Sequence, residues 1–464
     1  MDYWELRKLV QKIIPRRSSF EKFKKIHSYV KEKGRKKNYR EFNLVSGLNK
    51  KERLLNKDEI KSFIEISLRA AHCPLCLNLD TVDGVRCGFY CVYCYADLFR
   101  ASLYTSFFDN SSEIGYRFCN PDFFKREMDV HLKYRGNISQ AKTDIQRALA
   151  LEMPLRFGIR FEDFLPIEAK KKVSLEMLKY LAQNSYPVML NTKSDLVGKH
   201  EYVKALSDNK GRAAVHITMI SCDNEFLKRI EPGAPSFDKR LETAKILIDA
   251  GIRVVARIEP FMIFLNDSRD MVDEYIQKIK SAGIKHLTLD TFSYSAGGAG
   301  IRRNFEHLGY DFQRMFTLMS DCQWLGSLIL GRFMYYLRDN GFEASTFDFG
   351  NVPSNDDPVC CSVGDWFSGR SCGNTVTAIR FIASKNGLPV TWEMYEDYVL
   401  ANGGWLSERL RRDVMEAWCG VGNQAYMPWW GQGITPIGIS TGGKPIFVYN
   451  KIVDFREQLF KELL

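Results

Sequence analysis

The chain has 464 residues, 45% of them apolar and 26% charged. This ordinary globular composition excludes collagen-like, coiled-coil and wholly disordered classes. The net charge of +10 is uneven: residues 1–61 carry 19 Lys and Arg against eight acids, and everything after residue 61 sums to −1. No apolar run reaches the ~18 residues a membrane helix needs, the best one, Leu325–Leu337, being broken by Arg332.

The charged start, MDYWELRKLV, lacks the apolar core of a signal peptide. A cytoplasmic protein with no membrane partner is therefore expected. In a reducing compartment its 12 cysteines are metal ligands or free thiols rather than disulfides. Leu6, Leu9, Val10, Ile13 and Ile14 have helical spacing, which Pro15 ends. A second helix follows from Ser18–Ser19 to Gly34, and a third is expected from Asp58–Glu59 to about Ala71. The basic block, residues 1–61, either attracts nucleic acid or another anionic surface, or forms a solvated, charged helical extension.

From about 150 to 350, short β-runs alternate with amphipathic helices. Strands are expected at 187–192, 213–218, 253–258, 286–289 and 342–347, with helices at Phe237–Ala250 and Met271–Ala282 ended by Gly251 and Gly283. That alternation predicts an α/β fold with a parallel sheet or barrel, whose functional groups sit at the C-terminal strand ends. The expected organisation is a basic helical extension over 1–72, a core over 73–340 and a C-terminal lid or substrate domain over 341–464. The tail's Trp405, Trp418, Trp429 and Trp430 either pack in a core or stack on bases.

The strongest signal is the run from Arg86 to Tyr95, RCGFYCVYCY. Cys73, Cys76, Cys91 and Cys94 form two CxxC pairs, close to a four-cysteine zinc ribbon of a non-catalytic nucleic-acid-binding protein. That reading leaves Cys87 without a role. Alternatively, Cys87, Cys91 and Cys94, spaced x3 then x2, hold three irons of a [4Fe–4S] cube and leave the fourth open to a chelating molecule.

The CxxxCxxC spacing, with Tyr93 before its third cysteine, resembles the radical S-adenosylmethionine (SAM) superfamily. Further blocks resemble its spore photoproduct lyase-like branch, also called DNA repair photolyase-like. They are Arg160–Glu168, the strand end Asn191–Ser194, Arg229–Pro235, Ala256–Pro260 and Asn266–Asp267, together spanning roughly residues 85–295. The resemblance implies a partial parallel (β/α)6 barrel. It also implies an enzyme in which a cluster on Cys87, Cys91 and Cys94 reductively cleaves SAM to a 5′-deoxyadenosyl radical that abstracts hydrogen from its substrate.

By the same resemblance, Tyr93, Glu162, Lys193, Arg257 and Glu259 contact SAM, and a flavodoxin or ferredoxin supplies the electron. The substrate implied is a nucleic-acid base, for repair or modification. The alternative is a peptide, protein or small metabolite with an auxiliary Fe–S cluster. Each residue also has a plainer reading: Lys193 as a surface lysine, Arg257 and Glu259 as a structural ion pair, Glu162 and Asp163 as helix caps, His216 as a core residue. Spore photoproduct lyases carry a hydrogen-donor cysteine in the stretch matching Phe157–Pro166, and this chain has none there. The resemblance thus carries radical initiation and not repair of the spore dimer. Cys360, Cys361 and Cys372 are candidates for an auxiliary cluster (with Cys419, Cys73 or Cys76) or a hydrogen donor, or are plain reduced thiols. Cys119, Cys222 and Cys322 are isolated and read as packing residues.

Overall fold

The structure is a computed structural model. It describes residues 1–13, 64–66, 75, 77–84, 87–94, 116–159, 161–291, 299–310, 323–346, 362–366, 382–383, 389–408, 434–441, 445–449, 457–458 and 460–462. Its strands in chain order are β1 (Ile64–Ile66), β2 (Leu77–Leu79), β3 (Val82–Gly84), β4 (Tyr116–Phe118), β5 (Leu155–Phe157), β6 (Val188–Thr192), β7 (Ala213–Thr218), β8 (Arg253–Phe261), β9 (His286–Thr291), β10 (Glu343–Thr346), β11 (Ile434–Ile439) and β12 (Pro445–Tyr449). The helices that matter below are α1 (Tyr3–Ile13), α2 (Val173–Gln183), α3 (Asn224–Ile230), α4 (Phe237–Asp249), α5 (Arg269–Ser281) and α6 (Gln323–Asp339).

The main sheet has the order β1-β2-β5-β6-β7-β8-β9-β10. Only the β1–β2 pairing is antiparallel. From β5 onward each strand adds beside the one before it, always on the same side. Right-handed crossovers then put the connecting helices among the described residues on one face, so the sheet curls into a partial barrel and does not become a doubly wound sheet. Seven strands run parallel, one more than the six expected, because the three-residue strands β2 and β5 join the five read from the sequence.

The expected helix over 58–71 is corrected by β1: Ile-Glu-Ile alternates with period two and pairs Ile64 with Leu79. The sheet therefore spans residues 64 to 346, wider at both ends than the expected core. The apolar run Leu325–Leu337 is the buried stripe of α6, packed on β9 and β10. No helix among the described residues is long and apolar enough to cross a membrane.

Period-two alternation gives the barrel two faces. In β8, Val254, Ala256 and Ile258 are buried on one face, while Arg253, Arg257 and Glu259 share the other with Val255. The register carries this pattern across the sheet: His216 lies beside Asn191 and Val255, and Arg257 beside Thr218 and Thr288. The apolar face belongs to the helix-covered core. The polar face lines the inside of the curve, where His286 Nε2 meets Ser345 Oγ at 3.2 Å.

The N-terminal helix α1 belongs to this body. Tyr3, Leu6 and Val10 are buried, and the Tyr3 ring packs at a tilt on Phe333 of α6 with centroids 4.9 Å apart. Its polar anchor is Asp267, 0% exposed, just after β8. That carboxylate accepts the Tyr3 hydroxyl at 2.6 Å and two Arg7 N–H groups at 2.9 and 3.0 Å. Arg7, counted in the basic segment, is thus neutralised internally. Residues 14–61, which carry 16 Lys and Arg and six acids, lie outside the described residues.

Candidate active site

The loop 87–94 makes two successive turns. Tyr90 N donates to Cys87 O at 3.2 Å and Cys94 N to Cys91 O at 3.1 Å. It is pinned from the end of α3 and the segment after it: Val92 N donates to Ile230 O at 2.9 Å and Gly233 N to Phe89 O at 3.1 Å. The approach needs glycine. A Cβ on Gly233 would lie 2.2 Å from Gly88 O and 2.9 Å from the Cα of Phe89. Beneath the loop, Val82, Phe89, Phe161 and Leu165 form a small apolar cluster against which Cys87 and Cys91 pack.

All three cysteines are free thiols and half-buried. Burial pushes the Cys91 thiol up, the Lys193 ammonium opposes this, and Glu231, Cys94 and Cys87 add to the rise. The three sulfurs thus sit within one another's fields. Among the described residues, no three His, Cys, Asp or Glu side chains converge on a single ion. Three thiols offered by one short loop are the donor type that three irons of a [4Fe–4S] cube take. The Lys193 ammonium is the cation that opposes the rise at Cys91.

Tyr93 is buried. Its hydroxyl donates to Glu231, and Lys193 Nζ lies 5.7 Å from its ring centroid. Burial alone would lower the proton affinity of Lys193, but Cys91 and Glu231 hold it raised, so the side chain stays cationic. Glu162 is also buried. It accepts Phe164 N at 3.1 Å, Thr192 Oγ1 at 2.6 Å and Lys193 N at 2.9 Å. This carboxylate ties the segment after β5 to the end of β6 and sets the direction in which Lys193 leaves the strand. Burial raises its proton affinity against those donors. Asp163 accepts Thr81 N at 2.7 Å and Val82 N at 3.3 Å, holding the strands that lead into the cysteine loop.

Two strands away, Arg257 pairs with Glu259, and Thr288 Oγ1 donates to Glu259 Oε1 at 3.3 Å. Both side chains are about one-fifth exposed, at 22% and 19%. Cys loop, Tyr93, Glu162 and Lys193 therefore form one contact set, with Arg257 and Glu259 further round the same inner face. His216 is buried mid-strand on that face. Cys119 and Cys222 are buried. Cys73, Cys76, Cys322, Cys360, Cys361, Cys372 and Cys419 lie outside the described residues.

Sequence reasoning missed the partner of Tyr93. Glu231 is fully buried against Arg240 of α4, and the only hint was an acid before Pro232 in a loop otherwise read by resemblance.

No family model matches this sequence, and no curated protein does. Among solved structures, the chain is similar to spore photoproduct lyase with bound AdoMet and dinucleoside spore photoproduct. There the identity is 17% and the TM-score 0.36, over 50% of this chain and 61% of that one. It is also similar to Streptococcus suis SuiB bound to S-adenosylmethionine, at 14% identity and TM-score 0.34, over 65% of this chain and 69% of that one. SuiB bound to the precursor peptide SuiA gives 12% identity and TM-score 0.36, over 59% and 49%. Both are radical SAM enzymes, the superfamily that the cysteine loop resembles. The match with spore photoproduct lyase spans under two thirds of that chain.

Proposed function

We propose that the chain is a radical SAM enzyme acting on a nucleic-acid base. The observation that carries the reading is the three-cysteine loop docked on the C-terminal ends of a parallel barrel, with Lys193 lying between it and the inner face. Cys87, Cys91 and Cys94 would hold the [4Fe–4S] cluster. The chemistry such a cluster supplies is one-electron cleavage of SAM, releasing a hydrogen-abstracting 5′-deoxyadenosyl radical.

The chain's own residues bind and orient. The Lys193 ammonium is placed to meet a carboxylate, and Glu162 fixes its backbone. Arg257 and Glu259 offer a charged donor and acceptor at the mouth. Tyr93 closes the floor beneath Lys193, and the apolar cluster under the loop keeps water from its rear. The basic stretch 14–61 suits a polyanionic substrate. A base in a duplex must be flipped out to reach a buried radical, at a few kcal/mol.

Anaerobic reconstitution tests the reading. The expected result is about four iron per chain and dithionite-dependent release of 5′-deoxyadenosine, both lost in Cys91→Ala. SAM cleavage that survives Cys91→Ala would sink the cluster assignment. Zinc in place of iron, bound by a chain inert toward SAM, would favour the four-cysteine alternative.

A further inference from the structure

The cysteine loop is held by an ion pair that the chemistry above does not use. Glu231 is 1% exposed and Arg240 is 0% exposed. Removing two charges from water costs several kcal/mol per ion, and such pairs are weak devices for stability alone. This one is fully served by donors and acceptors. Arg240 Nε donates to Pro235 O and Nη1 to Thr218 O, both at 2.8 Å, and Nη2 to Glu231. The other Glu231 oxygen takes the Tyr93 hydroxyl.

One carboxylate thus joins α4 and the end of β7 to the residue preceding Cys94. Backbone contacts at Val92 and Gly233 already fix the loop's position. A charge adds what packing cannot: a field. The Tyr93 hydroxyl brings the Glu231 carboxylate to the residue that directly precedes Cys94 and lies two from Cys91, so the charge sits against the cysteine loop.

We propose that Glu231 is a positioning residue: its carboxylate orients Tyr93, and its negative charge, held in place by Arg240, sets the electron affinity of the Cys87–Cys91–Cys94 site. No bond changes at Glu231. Its charge disfavours the entering electron, and Arg240 limits that penalty. The electron-affinity half rests on the cluster reading, and the orienting half does not.

Two measurements on the full chain separate them. In the reconstituted protein, Glu231→Gln should retain iron and move the cluster midpoint, read by potentiometric electron paramagnetic resonance, to a less negative value. Glu231→Gln/Arg240→Met removes both charges and should bring the midpoint back toward wild type. An unchanged midpoint in Glu231→Gln with iron bound, or equal shifts in both variants, overturns the field. In the apo chain, Tyr93→Phe keeps the Glu231 charge and removes only the hydroxyl link, and it should make Cys91 alkylation, followed by mass spectrometry, about tenfold faster. A wild-type alkylation rate in Tyr93→Phe overturns the orienting role. A wild-type chain that takes up no iron fails the cluster reading and the field with it, and the alkylation result still decides the orienting role.

Discussion

Gly233→Ala tests how closely the cysteine loop is fitted to the barrel. The new Cβ would stand 2.2 Å from a backbone oxygen and 2.9 Å from a Cα, where ordinary contact begins at 3.4 Å. Both obstacles are main chain, so no rotamer change relieves them. The loop must retreat by about 1 Å, giving up some of the dispersion contact that seats it. Overpacking of this kind costs about 1–3 kcal/mol, which a barrel of this size survives. Function is more sensitive, because a misplacement of about 1 Å costs on the order of 100-fold in rate. The assay is 5′-deoxyadenosine release from reconstituted protein, with hydrogen exchange at residues 88–93 to report the loop. We expect a folded protein that binds iron, exchanges faster over the loop and cleaves SAM on the order of 100-fold more slowly. Wild-type exchange and wild-type cleavage together would refute the claim that this backbone contact seats the cysteines.

Other outcomes follow from the same geometry. Asp267→Ala strands the Tyr3 hydroxyl and the Arg7 guanidinium, at about 3 kcal/mol, so amide protection in α1 should fall on the order of 100-fold by hydrogen exchange; an unchanged α1 would show the anchor lies elsewhere. Burial lifts the Glu168 carboxyl to about 7 from 4.5, against donation from Leu175 N, Tyr202 and Val173 N. A raised carboxyl stabilises the fold below its unfolded value and loses that contribution as pH rises through the folded one. Barrel stability by denaturant titration should therefore drop by about 3 kcal/mol between about pH 4.5 and 8, with a flatter profile in Glu168→Gln. Replacing Lys22, Lys24, Lys25, Lys33, Lys36 and Lys37 with Gln should weaken binding to DNA and tRNA and flatten its salt dependence; an unaltered salt slope would remove the nucleic-acid argument.

The long elements were legible in the sequence. Strand β7 falls at 213–218 as read, and β6, β8, β9, α4 and α5 within three residues, because periods of two and 3.6 repeat enough times to be recognised. Strands of three residues repeat too few times for their period to be recognised, which leaves β2 and β5 unread and the Ile-Glu-Ile of β1 inside an expected helix. At the site, the cysteine spacing and Lys193 were readable because each is local. The links that seat them are not: Tyr93 meets Glu231 across 138 residues, and Asp267 meets Tyr3 across 264. Only the parallel winding of the chain brings such pairs together. Arg257 and Glu259 form the ion pair of the plainer reading, on the same face of β8.

The docking of α1 changes what the positive charge can do. The chain leaves the described residues at Ile13, the end of a helix anchored through Tyr3 and Arg7 on Asp267, in the segment that follows β8. It returns at Ile64, whose register partner Leu79 is the C-terminal residue of β2. The return at Ile64 is on the rim that carries the cysteines. A tail free at one end would sweep a volume set by its full contour length. A segment fastened twice is confined, and its local concentration at the rim is set by the span between fixed points. The 16 Lys and Arg of residues 14–61 are therefore tied to the barrel at both ends of their stretch, whatever course the chain takes between Ile13 and Ile64.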